Sequence, residues 1–332
     1  MDDERMPVAL PHAAVVFNPA KSSASSMKAL RNEVGKQERS LGWGATTWHE
    51  TSADDDARAA REAMASHPAL IVVAGGDGTV RAVAACTENE GIPLGVVPAG
   101  SGNLLARNLG IPVGDSSAAV RVAFHGAERR IDLAQAELAD TSGRVARSVF
   151  LVMAGIGLDA RMASDTNSVV KKHVGWLAYT DPILRSVFSG ERFSISYSLD
   201  GSRPRTVRAH TVIVGNCGTL TAGILLIPTA VPDDGLLDIV ALNPVGAGGW
   251  ARLGSRLASN RLLHRTRGGR MLLHVMPGVD ALRYGQARTI LARLNHPQAI
   301  ELDGDSFGDV IRIRITVRPG AVVVRVPDGV EP

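Results

Sequence analysis

The pattern of apolar positions changes character near Ile131. Before it, short continuous apolar runs alternate with segments whose apolar residues fall at helical spacing. Ala13–Phe17 is a short, strand-like apolar run that ends at Asn18-Pro19, where proline disfavours continuation as a strand. Met27, Leu30 and Val34 then predict a helix, and Thr46–His49 a second strand. Ser52 reads as an N-cap, with Asp54, Asp55 and Asp56 at the positive end of the next helix. Along that helix Asp54 and Arg58, then Arg58 and Glu62, are spaced to pair. Ala69–Ala74 has the length and continuity of a strand buried on both faces. It stops at Gly75-Gly76-Asp77-Gly78-Thr79, after which Val80, Val83 and Ala84 resume helical spacing. Pro93–Val97 is another such strand, followed by a second glycine turn at Pro98–Asn103 and a helix carrying Leu104, Leu105 and Leu109. Strand, glycine turn and helix in repetition predict an α/β domain on a mostly parallel sheet. Its ligands belong at the carboxyl ends of the strands, where both glycine turns fall.

Beyond Ile131 the pattern becomes strand-like. Ser194–Leu199, Val207–Val214, Leu236–Leu242, Met271–Val275 and Ile311–Val317 read as strands, some of them alternating. Asp200-Gly201, Asp234-Gly235 and Asp303-Gly304 punctuate them as turns. A helical interlude spans Val169–Phe188, with Asp181-Pro182 able to restart a helix. The expected organisation is an α/β domain over residues 1–130 and an all-β, sandwich-like domain over 131–332, whose last segment can return to the first domain.

Composition narrows the classes of partner. Of the residues, 45% are hydrophobic and 21% charged, as in ordinary globular proteins. Aromatics at 4% supply poor stacking platforms, and a formal charge of +3 does not call for a polyanion, so nucleic acid is not expected as a partner. A local basic face can still meet an anionic membrane. Cys86 and Cys217 form neither a disulfide framework nor a zinc cluster; they fit a reducing compartment and are most simply packing residues. The amino terminus MDDERM is acidic where a signal peptide is basic, and no apolar stretch is long enough to span a bilayer. These features point to a cytoplasmic location with peripheral contact at the inner membrane surface. A homodimer is compatible with the chain, and no feature demands one.

In the first glycine turn, Gly75, Gly76, Gly78 and Thr79 let backbone N–H groups approach phosphate oxygens at a helix amino terminus. Asp77 can bind Mg²⁺ or accept a proton from an attacking hydroxyl. A plain tight turn is the alternative. In the second, Gly100, Ser101, Gly102 and Asn103 supply further donors, with Arg107 one helical turn on. Alone it reads as a helix cap; a pair of glycine turns at neighbouring strand ends is harder to dismiss. There is no GxxxxGK[ST] P-loop, and Ser101 lacks the flanking glycines of a nucleophile elbow. Gly155–Ala160 imitates a dinucleotide fingerprint, but no acidic residue ends a following strand, so it reads as a tight turn.

These motifs resemble the diacylglycerol kinase catalytic family, which includes bacterial lipid kinases and sphingosine kinases. Asn18-Pro19, GGDGTV, PAGSGNLLARNLGIP, GIGLDA, Gly215-Asn216 and PTAVPDDGLLDI at Pro228–Ile239 occur in the order of that family, from about Ala13 to Val326. The resemblance implies a phosphofructokinase- or NAD kinase-like nucleotide domain followed by a β-sandwich, with a cleft between them. It implies ATP binding by Asn18, the Gly75–Thr79 turn and the Gly100–Asn103 turn, with Asp77 at the phosphates as base or metal partner. The late DGE turn of the family becomes Asp303-Gly304-Asp305, making Asp303 a second base candidate and shortening the carboxylate at Asp305 by one methylene. Asp132 matches an aspartate that in the family lies near the acceptor lipid or a metal-water network; a hinge residue paired with a nearby arginine is its plainer reading. Asp233, Asp234 and Asp238 resemble a metal-bearing loop, or else a β-turn. Lys171–Tyr179, with Trp176 and Tyr179 among basic residues, can lie on a membrane or pack as an ordinary helix. The function implied is transfer of the γ-phosphoryl group of ATP, with Mg²⁺, to a hydroxyl of a diacylglycerol- or sphingoid-like lipid. Its rivals are a soluble-acceptor kinase of the NAD kinase type, a non-catalytic regulator on the same fold, and a dinucleotide-dependent oxidoreductase.

Overall fold

A computed structural model describes residues 10–52, 55–157, 192–219, 226–227, 229–243 and 282–329. The Val169–Phe188 helix, the Lys171–Tyr179 segment and the Met271–Val275 strand lie outside the described residues. The chain divides into two compact units, 1–130 with 322–331, and 131–321. The boundary falls within β5 (Ala127–Ala139) and β14 (Asp305–Val326).

The first unit is an α/β layer structure. Strands β1 (Ala13–Phe17), β2 (Thr47–Glu50), β3 (Leu70–Gly75) and β4 (Leu94–Pro98) pair in parallel in the order β2-β1-β3-β4. The end of β14 adds to β4, also in parallel, through Val324 opposite Leu94. Ala13–Val16 and Ile71–Val73 are fully buried, which explains runs with no polar alternation. Helix α1 (Ala24–Leu41) opens on Ser23, whose hydroxyl accepts from the Ser26 N–H, and ends at Gly42 in the left-handed region. Helix α2 (Asp56–Ala65) begins at Asp55, three residues beyond the expected Ser52. There Arg58 bonds both Asp55 and Glu62, while Asp54 lies outside the described residues. Helix α3 (Asp77–Cys86) packs on α2, and α5 (Ser116–His125) packs on α1 and β4. Gly95 admits that packing: a Cβ there would sit 2.3 Å from Ala123 Cβ. The direction of strand succession reverses after β2, so right-handed crossovers put α1 on one face and α2 and α3 on the other. This makes the space beyond the ends of β1 and β3 a topological switch point, the usual ligand position in such sheets.

The second unit is all β among its described residues. One run of strands is β9 (Arg205–Ala209), β8 (Phe193–Leu199), the first half of β13 (Thr289–Leu302), β14, β5 and β6 (Val145–Phe150). The other is β12 (Leu282–Ala287), β11 (Leu237–Leu242), β10 (Thr211–Gly215), β7 (Met153–Ile156) and the second half of β13. Strand β13 changes partner at an irregularity between Arg293 and Gln298, where Pro297 removes a ladder donor. Phe150, Phe193, Ile195, Ile300 and Ile315 are among the core residues enclosed between these runs. The expected single strand Val207–Val214 is two: β9 pairs with β8, β10 with β7 and β11, and the chain switches partners at His210.

Candidate functional site

In the first unit three strand ends converge. Beyond β1, Asn18 is buried and its Oδ1 accepts the Ala20 N–H at 3.0 Å, capping a 3-10 turn over Pro19–Lys21. That turn aims the Lys21 ammonium at the first glycine turn, 3.0 Å from where a Cβ on Gly76 would lie. Beyond β3, Gly75 leaves room for Thr79, whose side chain a Cβ would meet at 2.8 Å. Gly76 caps α3 without a side-chain bond. Beyond β4, Ala99 N–H donates to Gly75 O at 2.9 Å, tying the second glycine turn to the first.

The second turn is closed by Asn103, in the left-handed region at φ 48°. Its Oδ1 accepts from Gly100 N–H at 2.9 Å and its Nδ2 donates to Gly100 O at 2.7 Å. The turns touch: a Cβ on Gly100 would lie 2.6 Å from Gly76 Cα. Because Asn103 turns its side chain back to Gly100, helix α4 (Leu104–Asn108) lacks a cap from its own first residue. Asp77 supplies one from across the gap, Oδ1 accepting the Leu105 N–H at 3.3 Å. Burial pushes the Asp77 carboxyl above the usual range, while N–H groups of Leu105, Leu104 and Asn103 hold it down. Arg107 donates to Gly102 O, and Ser101 is exposed at the rim. The result is a glycine floor bearing one carboxylate and one ammonium. Lys21 escaped the sequence reading; its signal was a lysine two residues past an Asn-Pro strand end.

The second unit holds the remaining candidates. Asp132 is 1% exposed, and its carboxylate accepts Gly235 N–H and Gly320 N–H, each at 2.7 Å. Its partners are therefore backbone donors, in place of the expected arginine. Burial raises its pKa; the two N–H bonds oppose that, and Asp234 and Asp233 add to it. Asp233 and Asp234 are exposed, Asp234 accepting the Leu236 N–H. Asp238 is buried and bonds Thr229 Oγ1 and Gln286 Nε2, with its pKa raised chiefly by burial. Among the described residues no three His, Cys, Asp or Glu side chains are grouped to hold a metal.

Asp303 and Gly304, at φ 49° and 88°, make the two-residue turn between β13 and β14. The Asp303 carboxylate faces inward, accepting N–H bonds from Leu151 at 2.9 Å, Val152 at 2.9 Å and Met153 at 3.0 Å. From the other side Asn216, fully buried, donates to the Leu151 and Asp132 carbonyls at 3.0 Å. Together they clamp the link between β6 and β7. Asp303→Asn turns one accepting oxygen into a donor facing N–H groups, so urea unfolding is expected to show a loss of roughly 1–3 kcal/mol. Asp305 is exposed at the turn. Gly157 allows the chain to pass Phe193, which a Cβ would meet at 2.5 Å. Residues 158–160 of the dinucleotide-like motif lie outside the described set, and β7 pairs antiparallel on both sides, unlike a dinucleotide fold.

A cavity of about 430 Å³ lies between the strand runs of this unit. Its walls are aliphatic, among them Ile195, Leu199, Val214, Ile239, Ile290 and Ile315, with Asp200, Ser202, Arg205 and Gln286 as polar lining.

Residues 12–136 match the diacylglycerol kinase catalytic domain model, and residues 152–326 match that of the YegS C-terminal NAD kinase beta sandwich-like domain. A probable lipid kinase YegS-like protein of Pseudomonas fluorescens is 29% identical over 91% of this chain and 93% of its own. A diacylglycerol kinase of Bacillus subtilis is 34% identical, but the match takes in 50% of this chain and 52% of that one, about half of each. Among solved structures, a putative diacylglycerol kinase from Bacillus anthracis superposes with a TM-score of 0.72 at 21% identity, covering 98% of this chain and 99% of that one. Yeast NADH kinase shares the fold at a TM-score of 0.54 and 10% identity, over 98% of this chain and 85% of its own. The chain belongs to the diacylglycerol kinase catalytic family, with its NAD kinase-like α/β domain and C-terminal β sandwich.

Proposed function

We propose that this chain is an ATP-dependent kinase whose acceptor is a hydroxyl of a diacylglycerol- or sphingoid-like lipid. Family membership supports a kinase. The observation that carries the lipid assignment is the 430 Å³ aliphatic cavity of the second unit, within the usual ligand-pocket range of about 300–1,000 Å³. A soluble dinucleotide acceptor would leave such walls without apolar partners.

The glycine floor fits a nucleotide phosphate chain. Glycine at 76 and 100 keeps Cβ atoms out of a contact that has no room for them, and the start of α3 offers N–H groups with no side-chain cap. Lys21 supplies a cation beside it. With a single carboxylate on the floor, Mg²⁺ would be held mainly by the substrate phosphates, which leaves Asp77 to act as base. When bound, ATP and Mg²⁺ supply the phosphoryl group and neutralise its charge. In this scheme Lys21 and the backbone N–H groups position the phosphates, and Asp77 accepts the proton of the lipid hydroxyl. Asp303 acts as a clamp, because its oxygens already accept three N–H bonds.

Lys21→Met is expected to raise the KM for ATP by roughly 10- to 150-fold, as loss of a charge-assisted bond worth about 1.5–3 kcal/mol would, with the melting temperature unchanged; steady-state kinetics and a thermal melt check both. The assignment itself is tested by incubating enzyme, ATP and Mg²⁺ with a cellular lipid extract. Mass spectrometry should find a lipid heavier by one phosphate. A soluble acceptor phosphorylated in its place would replace the lipid reading with that of a soluble-acceptor kinase, and nucleotide binding without turnover would support a regulator.

A further inference from the structure

Strand β14 alternates sharply: Ile313, Ile315 and Val317 are buried, while Arg312, Arg314 and Arg318 point to the other face. On the neighbouring β13, Ile290, Ala292 and Leu294 face the core, and Leu291 and Arg293 face out. The register sets Arg293 directly opposite Arg312, and Arg314 opposite Leu291. Like charges directly opposed across a sheet repel. The side chains of Arg293, Arg312 and Arg314 are exposed and make no ion pair or hydrogen bond with a described residue. The acid that lines the same groove, Glu137, is engaged by Arg147 at 3.1 Å. This is an arrangement that folding alone does not favour.

We propose that this outer face, over β5, β6, β8, β13 and β14, docks on an anionic phospholipid bilayer. The charge calls for anions. The aliphatic side chains set among the arginines, Val145 at 52% and Leu291 at 39% exposure, favour a bilayer over nucleic acid, because they can enter between headgroups. The face forms a shallow groove of about 650 Å³ without a deep pocket for a single headgroup. Its strands β8, β13 and β14 line the aliphatic cavity with their inner sides, and the turn from Asp200 to Pro204 borders both. The choice of a lipid surface rests on the lipid-kinase reading; the test does not, since it measures binding without phosphoryl transfer.

The full chain is sedimented with vesicles of phosphatidylcholine alone or mixed with phosphatidylglycerol. Binding is expected only to the mixed vesicles, and to weaken as salt rises. The triple variant R293Q/R312Q/R314Q should bind about 100-fold more weakly, from roughly fivefold per basic residue at an anionic surface. The charge-matched variant K28Q/R39Q/R61Q, altered on helices of the first unit, should lose far less. Equal loss in both variants, equal binding to neutral vesicles, or equally tight binding to a duplex DNA oligonucleotide would each overturn the proposal. Should the triple variant misfold, a polarity-sensitive dye on Leu291→Cys in the otherwise unaltered chain reports docking independently. Its emission should shift to the blue on mixed vesicles, and an unchanged spectrum counts against docking by this face.

Discussion

Asp77→Asn is expected to lower kcat by about 10²–10⁴-fold, the range for loss of a general base. Affinity for ATP should change little. The substitution is nearly isosteric and keeps an oxygen to accept the Leu105 N–H, so the link between the glycine turns survives. What disappears is the charge. Burial raises the Asp77 pKa, so the folded chain holds that proton at higher pH than the unfolded chain does. The stability linked to this group is therefore present below its unfolded value of about 4 and lost as pH rises through the folded value. The neutral amide avoids that loss, so at neutral pH the variant should melt no lower than the parent. In the parent the acid limb of kcat/KM should lie above the ordinary carboxylate range, and the variant should lack it. Full turnover by a folded variant would remove Asp77 from the chemistry.

The other large effect is expected from Gly100→Ala. Its Cβ would sit 2.6 Å from Gly76 Cα and 3.1 Å from Asn103 Oδ1. Backbone stands on one side and the hydrogen-bonded loop clasp on the other, so the turns must part. Overpacking of this kind costs about 1–3 kcal/mol, which at tenfold per 1.4 kcal/mol weakens nucleotide binding by roughly 5- to 150-fold. Gly76→Ala should be milder: its nearest contact is the Lys21 ammonium at 3.0 Å, which can swing aside, and Gly100 Cα is at 3.3 Å. Titration with a fluorescent ATP analogue ranks the two. Parent-like affinity in Gly100→Ala would mean that the glycine floor is not where nucleotide binds.

Local features of this chain are legible in its sequence. Ala13–Phe17 is a strand with the bounds its apolar run implies, and the helix marked by Met27, Leu30 and Val34 is α1. The parallel α/β architecture and the sandwich-like second half follow from strand, turn and helix periodicity and from the resemblance to the kinase family. Asp303-Gly304 is readable as a turn because both positions need positive φ. Its clamp is not readable, since the partners at Leu151, Val152 and Met153 lie about 150 positions upstream. Asp132 is a parallel case: its donors at Gly235 and Gly320 reach it only through folding. Strand β14 runs through Pro319-Gly320, where a break would be expected; the Gly320 N–H goes to Asp132 and the chain continues into its pairing with β4. Lys21 sits in a polar stretch that looks like the start of a helix, and only the cap by Asn18 shows where it is aimed.

The identity of the acceptor decides between a lipid kinase and its rivals. The direct measurement is transfer of labelled γ-phosphoryl from ATP, with Mg²⁺ present, to dispersed diacylglycerol and sphingoid lipids alongside NAD. Label should pass into the organic phase as a phosphorylated lipid, at a rate that Asp77→Asn lowers by at least about 100-fold. Label passing only to NAD, or to neither, would contradict the assignment of this chain as a lipid kinase.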